Sequence, residues 1–118
     1  MNPKSVKAKG RNLQNLVRDK LRLAFCETSR IPKLHQEDIK SQTMGMCGED
    51  IVLSPKGREM IPYSFECKNV ERLQFWATVE QAESNLYEKC VPAIVVKKNK
   101  KKPYVAIPLE HFIELIRR

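Results

Sequence analysis

The run "VPAIVVKK" (Val91–Lys98) opens with six apolar residues in a row and is rich in β-branched side chains. Such a run reads as a strand buried inside a sheet, and a chain that holds one must supply elements to cover it. Its flanks do so. From about Glu71 to Lys89, Leu73, Trp76, Val79, Ala82 and Leu86 recur at helical spacing. The closing "LEHFIELIRR" repeats the pattern, with Leu109, Phe112, Ile113 and Ile116 expected to face inward. Leu13, Leu16, Val17, Leu21, Ala24 and Phe25 predict a first helix over about Arg11–Phe25.

Two more strands precede the buried one. "DIVLS" (Asp50–Ser54) is ended by a proline turn at "SPKG", and "PYSFECK" (Pro62–Lys68) is expected to pair antiparallel with it. A last strand, "YVAIP" (Tyr104–Pro108), follows a turn at "NKKKP". Between the first helix and "DIVLS" lie a polar loop around Pro32, a short helical turn near "HQEDI" and an irregular approach, "SQTMGMCGED". The order helix, two strands, helix, two strands, helix predicts an α/β fold, a central mixed sheet flanked by helices. At 118 residues one domain over residues 1–118 is expected.

A hydrophobic share of 42% and a charged share of 31% set disorder aside. No apolar run approaches the roughly 20 residues that cross a bilayer. The basic N-terminus has no apolar stretch behind it and is no secretion signal, so a cytoplasmic location is expected. The formal net charge of +8 points to a polyanionic partner, nucleic acid before a membrane surface. Cys26, Cys47, Cys67 and Cys90 are far apart, with no C-x-x-C pair and no histidine at ligand spacing. Free, mostly buried thiols are therefore expected rather than zinc ligands. His35 and His111 are isolated and read as surface or helix-end residues.

Side chains alternate along a strand. In "PYSFECK", Tyr63, Phe65 and Cys67 share a face suited to the core, and Ser64, Glu66 and Lys68 share the other. A carboxylate and an ammonium thus stand about 7 Å apart along the strand. In "GEDIVLS", Ile51 and Leu53 turn inward and leave Asp50 at the strand's mouth. If the strands pair, Asp50 and Glu66 converge with Lys68 beside them. Two carboxylates offer Mg²⁺ hard oxygen ligands, and the ion acidifies water and stabilises phosphoryl charge. A lysine there orients or deprotonates the water, or neutralises charge. The competing reading is a Glu66–Lys68 salt bridge on a solvated face, worth little, with Asp50 a turn residue. Cys67 faces the core with no histidine to activate it, so it is no nucleophile.

The succession of "KGR" on the first helix, "SQTMG" ahead of "GED", then "ECK" and "EQAESN", resembles the core of the PD-(D/E)XK nucleases. It looks most like the Holliday-junction-resolvase-like branch, which includes small phage-encoded endonucleases. The resemblance implies a restriction-endonuclease-like core and metal-dependent hydrolysis of DNA, branched DNA such as Holliday junctions in particular. It implies a homodimer, whose two-fold axis suits two cut strands. Asp50 and Glu66 would bind Mg²⁺, with Mn²⁺ able to substitute, and the Cys67 carbonyl would be a further ligand. Lys68 would be the catalytic lysine, Gln81 would sit near the metal's water, and Ser41 would touch a phosphate or the rim.

Lys9, Arg11, Gln14 and Arg18 of the first helix would lie along the DNA. Two departures stand out. Glu49 replaces the proline of the name motif, and Gln14 stands where junction resolvases carry a metal-holding glutamate. A basic DNA-binding module of the same fold without hydrolysis is the alternative. Lys98, Lys100 and Lys101 read either as a solvated turn or as a phosphate clamp. Trp76 is expected in the core or a subunit interface. Phe75 cannot share its face, so one of the two is expected to be exposed.

Overall fold

The structure, a computed structural model, describes residues 3–27, 34–43, 45–46 and 48–118. The elements are α1 (Pro3–Arg22), which runs into a π-helical turn (Leu23–Glu27), a 3₁₀ turn (Gln36–Asp38), β1 (Ile39–Ser41), β2 (Ile51–Leu53), α2 (Pro55–Met60), β3 (Tyr63–Asn69), α3 (Phe75–Ser84), β4 (Val91–Lys97), β5 (Tyr104–Ala106) and α4 (Leu109–Arg117). The loop around Pro32 and the thiol of Cys47 lie outside the described residues. The 3₁₀ turn falls within "HQEDI", as its polar sequence predicts.

The expected α/β architecture is present. β4 is the middle strand of a three-stranded sheet, parallel to β3 and antiparallel to β5. α3 is the crossover that a parallel pair requires. The alternation in "YSFECK" holds. Phe65 and Cys67 join Ala93 and Val95 of β4, Leu13 of α1 and Ile39, Ile51 and Leu53 in one core. Ser64 and Glu66 point to the other face, yet each is only 3% exposed. That face is therefore covered rather than solvated.

Four expectations are corrected. β2 pairs antiparallel with β1 (Ile39 opposite Leu53, Ser41 opposite Ile51), not with β3. β1 is too short to show a period, so the partner it supplies was hidden. At the mouth of β2, Asp50 is tied to β3 by its amide, which donates to the Phe65 carbonyl at 2.9 Å, and by its carboxylate, which accepts from the Cys67 amide. Second, "SPKG" opens a helix rather than a turn. Ser54 caps α2 by accepting from the Gly57 amide at 3.0 Å, and Pro55 occupies the first turn, where its missing N–H costs nothing.

Third, the helix expected from Glu71 starts only at Phe75. The preceding segment is held on the sheet's edge, where the Val70 amide donates to the Lys97 carbonyl at 3.0 Å. Fourth, the stripe of α4 faces outward, with Leu109 74% and Ile116 63% exposed. The side of α4 that meets the body carries His111, hydrogen-bonded to the Tyr63 hydroxyl, and Leu115 one turn on. Trp76 is likewise 74% exposed, which removes it from the core. No helix among the described residues is long and apolar enough to cross a membrane.

Candidate active site

Gly48 has φ +105°, a left-handed conformation open to glycine at little cost, and it turns the chain into Glu49 and Asp50. Asp50 is then fixed through its backbone: its carbonyl accepts from the Gln42 amide at 2.8 Å, and its amide donates to Phe65. Its carboxylate accepts from the Cys67 amide at 2.6 Å and from the side chain of Gln14. Glu66, one residue back along β3 and on the opposite face from Cys67, accepts from Asn85 at 3.4 Å. Asp50, Glu66, Lys68, Gln14 and Gln81 all line one groove of about 240 Å³.

The electrostatics of this groove are unbalanced. Burial raises the Asp50 pKa, against the Cys67 amide, the Lys68 charge and the Gln14 bond, which lower it. Glu66 is pushed up to about 7, first by burial and then by the Asp50 charge, with Asn85 and Lys68 pulling the other way. Two carboxylates are thus desolvated within reach of each other, and Lys68 does not neutralise them. No ion pair within 4.0 Å joins Glu66 to Lys68 among the described residues, so the surface salt bridge is not what the fold builds. The Cys67 thiol is driven well above its usual range by burial and by both carboxylates, and is inert.

A site with this imbalance fits a cation. The Oε1 of Gln14 is buried without a hydrogen-bond partner, on a side chain only 7% exposed, and it lines the same groove. The amide and carbonyl of one strand residue leave on the same edge. The Cys67 carbonyl therefore shares the edge on which its amide meets Asp50. Among the described residues no three or more His, Cys, Asp and Glu side chains are grouped so as to hold a metal ion, so side-chain carboxylates alone would not complete a coordination shell here. The donors are all oxygen, which suits a hard, water-retaining ion such as Mg²⁺ and not the nitrogen and sulfur preference of Zn²⁺.

Other expected residues are placed unevenly. The Ser41 hydroxyl donates to Asn15 of α1 at 2.8 Å and is not part of the groove, whereas its neighbours Gln42 and Thr43 are. Gln14 lies in the wall of the groove rather than along an outer face. Lys9 is 3.6 Å from Glu71, Arg18 pairs with Asp19 at 2.9 Å, and Arg11 is exposed. Lys98, Lys100 and Lys101 are exposed on the β4–β5 turn. Sequence reasoning missed Asn85, although it closes the quoted "EQAESN". It also missed Arg58, which grips Glu49.

The family described as "Phage putative PDDEXK endonuclease" matches residues 5–118. The chain belongs to that family. No curated protein and no solved structure matches it significantly. The matched span of this PDDEXK endonuclease contains the whole groove, from Val6 to Gln81. Its substrate is accordingly DNA, and PDDEXK nucleases generally use divalent metal ions, in line with the oxygen donors and uncompensated charge described above.

Proposed function

We propose that the chain is a Mg²⁺-dependent endodeoxyribonuclease, with Mn²⁺ able to substitute, in which Asp50 and Glu66 hold the ion. The observation that carries this reading is the pairing of half-buried Asp50 with buried Glu66, which Lys68 leaves short of positive charge. The Cys67 carbonyl and Gln14 Oε1 complete the protein's share of donors. The bound ion supplies Lewis-acid stabilisation of phosphoryl charge and acidifies water. Lys68 orients the attacking water, takes its proton or offsets the charge that develops on phosphate. Gln81, at the rim on α3, positions that water, and Asn85 keeps Glu66 aimed into the groove.

The selectivity we propose is for branched DNA such as a four-way junction, cut by a homodimer of one-domain subunits in the cytoplasm of the phage's host. The basic residues Lys9, Arg11 and Arg18 on one flank and the lysine turn on another give such DNA more than one arm's worth of phosphate contacts. The uncovered Trp76, Leu109, Phe112 and Ile116 offer an apolar surface for a two-fold contact. The test is cleavage of a four-way junction, a flap, a duplex and a single strand with Mg²⁺, Mn²⁺ or chelator. Metal-dependent cutting lost in Asp50→Asn, with the junction ranked first, is the expected result. Binding without cutting in every condition would leave a DNA-holding module instead.

A further inference from the structure

We infer that the β4–β5 turn and Tyr104 form a single-strand subsite, which takes unpaired nucleotides as they leave the catalytic groove. This rests on the nuclease reading above and names the kind of strand that the groove receives. Lys68 is opposite Val96, and Val96 is opposite Tyr104, so the three form one row across the sheet. At the usual strand spacing, the Tyr104 backbone lies about 10 Å from that of Lys68, within reach of nucleotides just beyond a phosphate held there.

The ground between them is continuous. Val70 lines the catalytic groove and also a neighbouring depression of about 350 Å³, whose walls include Leu73, Lys98, Lys101, Lys102 and Tyr104. Tyr104 is 62% exposed. The Lys102 ammonium lies over one face of its ring, 5.6 Å from the centroid, where it would meet the phosphate of a nucleotide stacked on the ring. An aromatic platform rimmed with lysines serves unpaired nucleotides, because a duplex keeps its base faces stacked inside.

The turn is also held in shape. The Asn99 amide donates to the Glu71 carboxylate at 2.7 Å, and Glu71 reaches Lys9 of α1 at 3.6 Å. The Lys101 amide donates to the Lys98 carbonyl at 3.2 Å, and Lys100 adopts φ +63°. A lysine turn that served only solubility would need neither a carboxylate anchor nor an exposed ring beside it. Here the lysines take phosphates and Tyr104 takes a base face.

The experiment is fluorescence anisotropy on the full chain in chelator, with a blunt duplex and with the same duplex carrying a single-stranded DNA tail. The variants are Tyr104→Phe, Tyr104→Leu and the pair Lys98→Gln, Lys101→Gln. For the wild type and Tyr104→Phe the tail is expected to tighten binding about fivefold to a hundredfold. Tyr104→Leu should lose that gain while binding the blunt duplex as before. The lysine pair should lower the salt dependence of tail binding by about 0.7 per charge removed. A tail gain that survives Tyr104→Leu, or no gain in the wild type, overturns the subsite. Metal-dependent cutting of both substrates, beside Asp50→Asn, reports on the nuclease reading separately. Cutting with a tail effect indifferent to Tyr104 overturns the subsite alone. A Tyr104-dependent tail gain without cutting overturns the nuclease and leaves the strand-holding site.

Discussion

Arg58 of α2 holds the carboxylate of Glu49, the residue before Asp50, through both terminal nitrogens, Nη1 at 3.0 Å. The two side chains are 11% and 7% exposed, respectively. The guanidinium also lies 3.6 Å from the centroid of the Tyr87 ring, so it is clamped on two sides. The name motif has proline where this chain has Glu49. The backbone ahead of Asp50 is steadied here by a buried ion pair instead of a restricted φ.

Arg58→Ala should therefore cost about 3–5 kcal/mol, because it strands a buried carboxylate. Replacing both partners with apolar residues, Glu49→Leu with Arg58→Met, should recover most of that loss. Urea unfolding of the single and double variants gives both numbers. Arg58→Lys keeps the charge but loses the two-pronged grip and the flat stacking on Tyr87. It should remain folded and cut more slowly, as the Asp50 loop loosens. Equal losses for Arg58→Ala and the double variant would show that the pair is not what holds this segment.

Glu66 predicts an unusual pH dependence. Its pKa rises from an ordinary 4.5 to about 7. Within that window the folded, metal-free chain keeps a proton that the unfolded chain has released. Stability of the metal-free protein should thus fall as pH rises from 4.5 to about 7. The raised Asp50 pKa acts in the same direction. An added divalent ion displaces the proton, so the slope should flatten or reverse. Calorimetry in buffers of different ionisation heat should detect release of up to about one proton per ion near pH 6, vanishing by about pH 8. Metal binding with no proton release at the lower pH would contradict the assignment of Glu66 as a ligand.

Gln14 supplies a gain-of-function test. Its Oε1 is buried and unpaired, while its amide side serves Asp50. Gln14→Glu adds a third carboxylate at nearly constant volume. Mn²⁺ affinity, read by calorimetry, should rise by about tenfold, the order of a tuning interaction at a metal site. The metal-free variant should be less stable at neutral pH, because three like charges then crowd one groove. Gln14→Leu should weaken the ion and loosen Asp50. Unchanged affinity in Gln14→Glu would place the ion out of reach of α1.

What the sequence made legible was whatever a short period could carry. Alternation in "YSFECK" placed Glu66 and Lys68 on one face and Cys67 on the other, and the unbroken "VPAIVV" gave the central strand. β1 was not legible, since a three-residue strand shows no period and its pairing with β2 is a tertiary event. Apolar spacing in α4 was read as a buried stripe, but spacing cannot say which side of a helix meets the body. The Tyr63–His111 bond decided that instead. Gln42, just past β1, and Arg58, on a six-residue helix, gave no periodic signal, and Asn85 stood at the end of "EQAESN" with nothing in the sequence to aim it at Glu66. Ser54–Pro55 was a readable helix start that a turn reading obscured.

Lys68 separates chemistry from binding. It lies in the groove with Asp50 and Glu66, and its charge favours ionisation of both. Its removal should thus slow cutting by about 10²–10³-fold, the order found when one preorganised donor to transition-state charge is lost. Lys68→Ala should still bind DNA, since one phosphate contact among many is a small share of affinity. Lys68→Arg distinguishes the two roles open to the lysine. Arginine keeps the charge but does not give up a proton in proteins, so restored cutting would mean that Lys68 acts by its field. Cutting as slow as in Lys68→Ala would mean that it handles the water's proton. Undiminished cutting by Lys68→Ala, with single-turnover rates equal to wild type, would remove Lys68 from the reaction altogether.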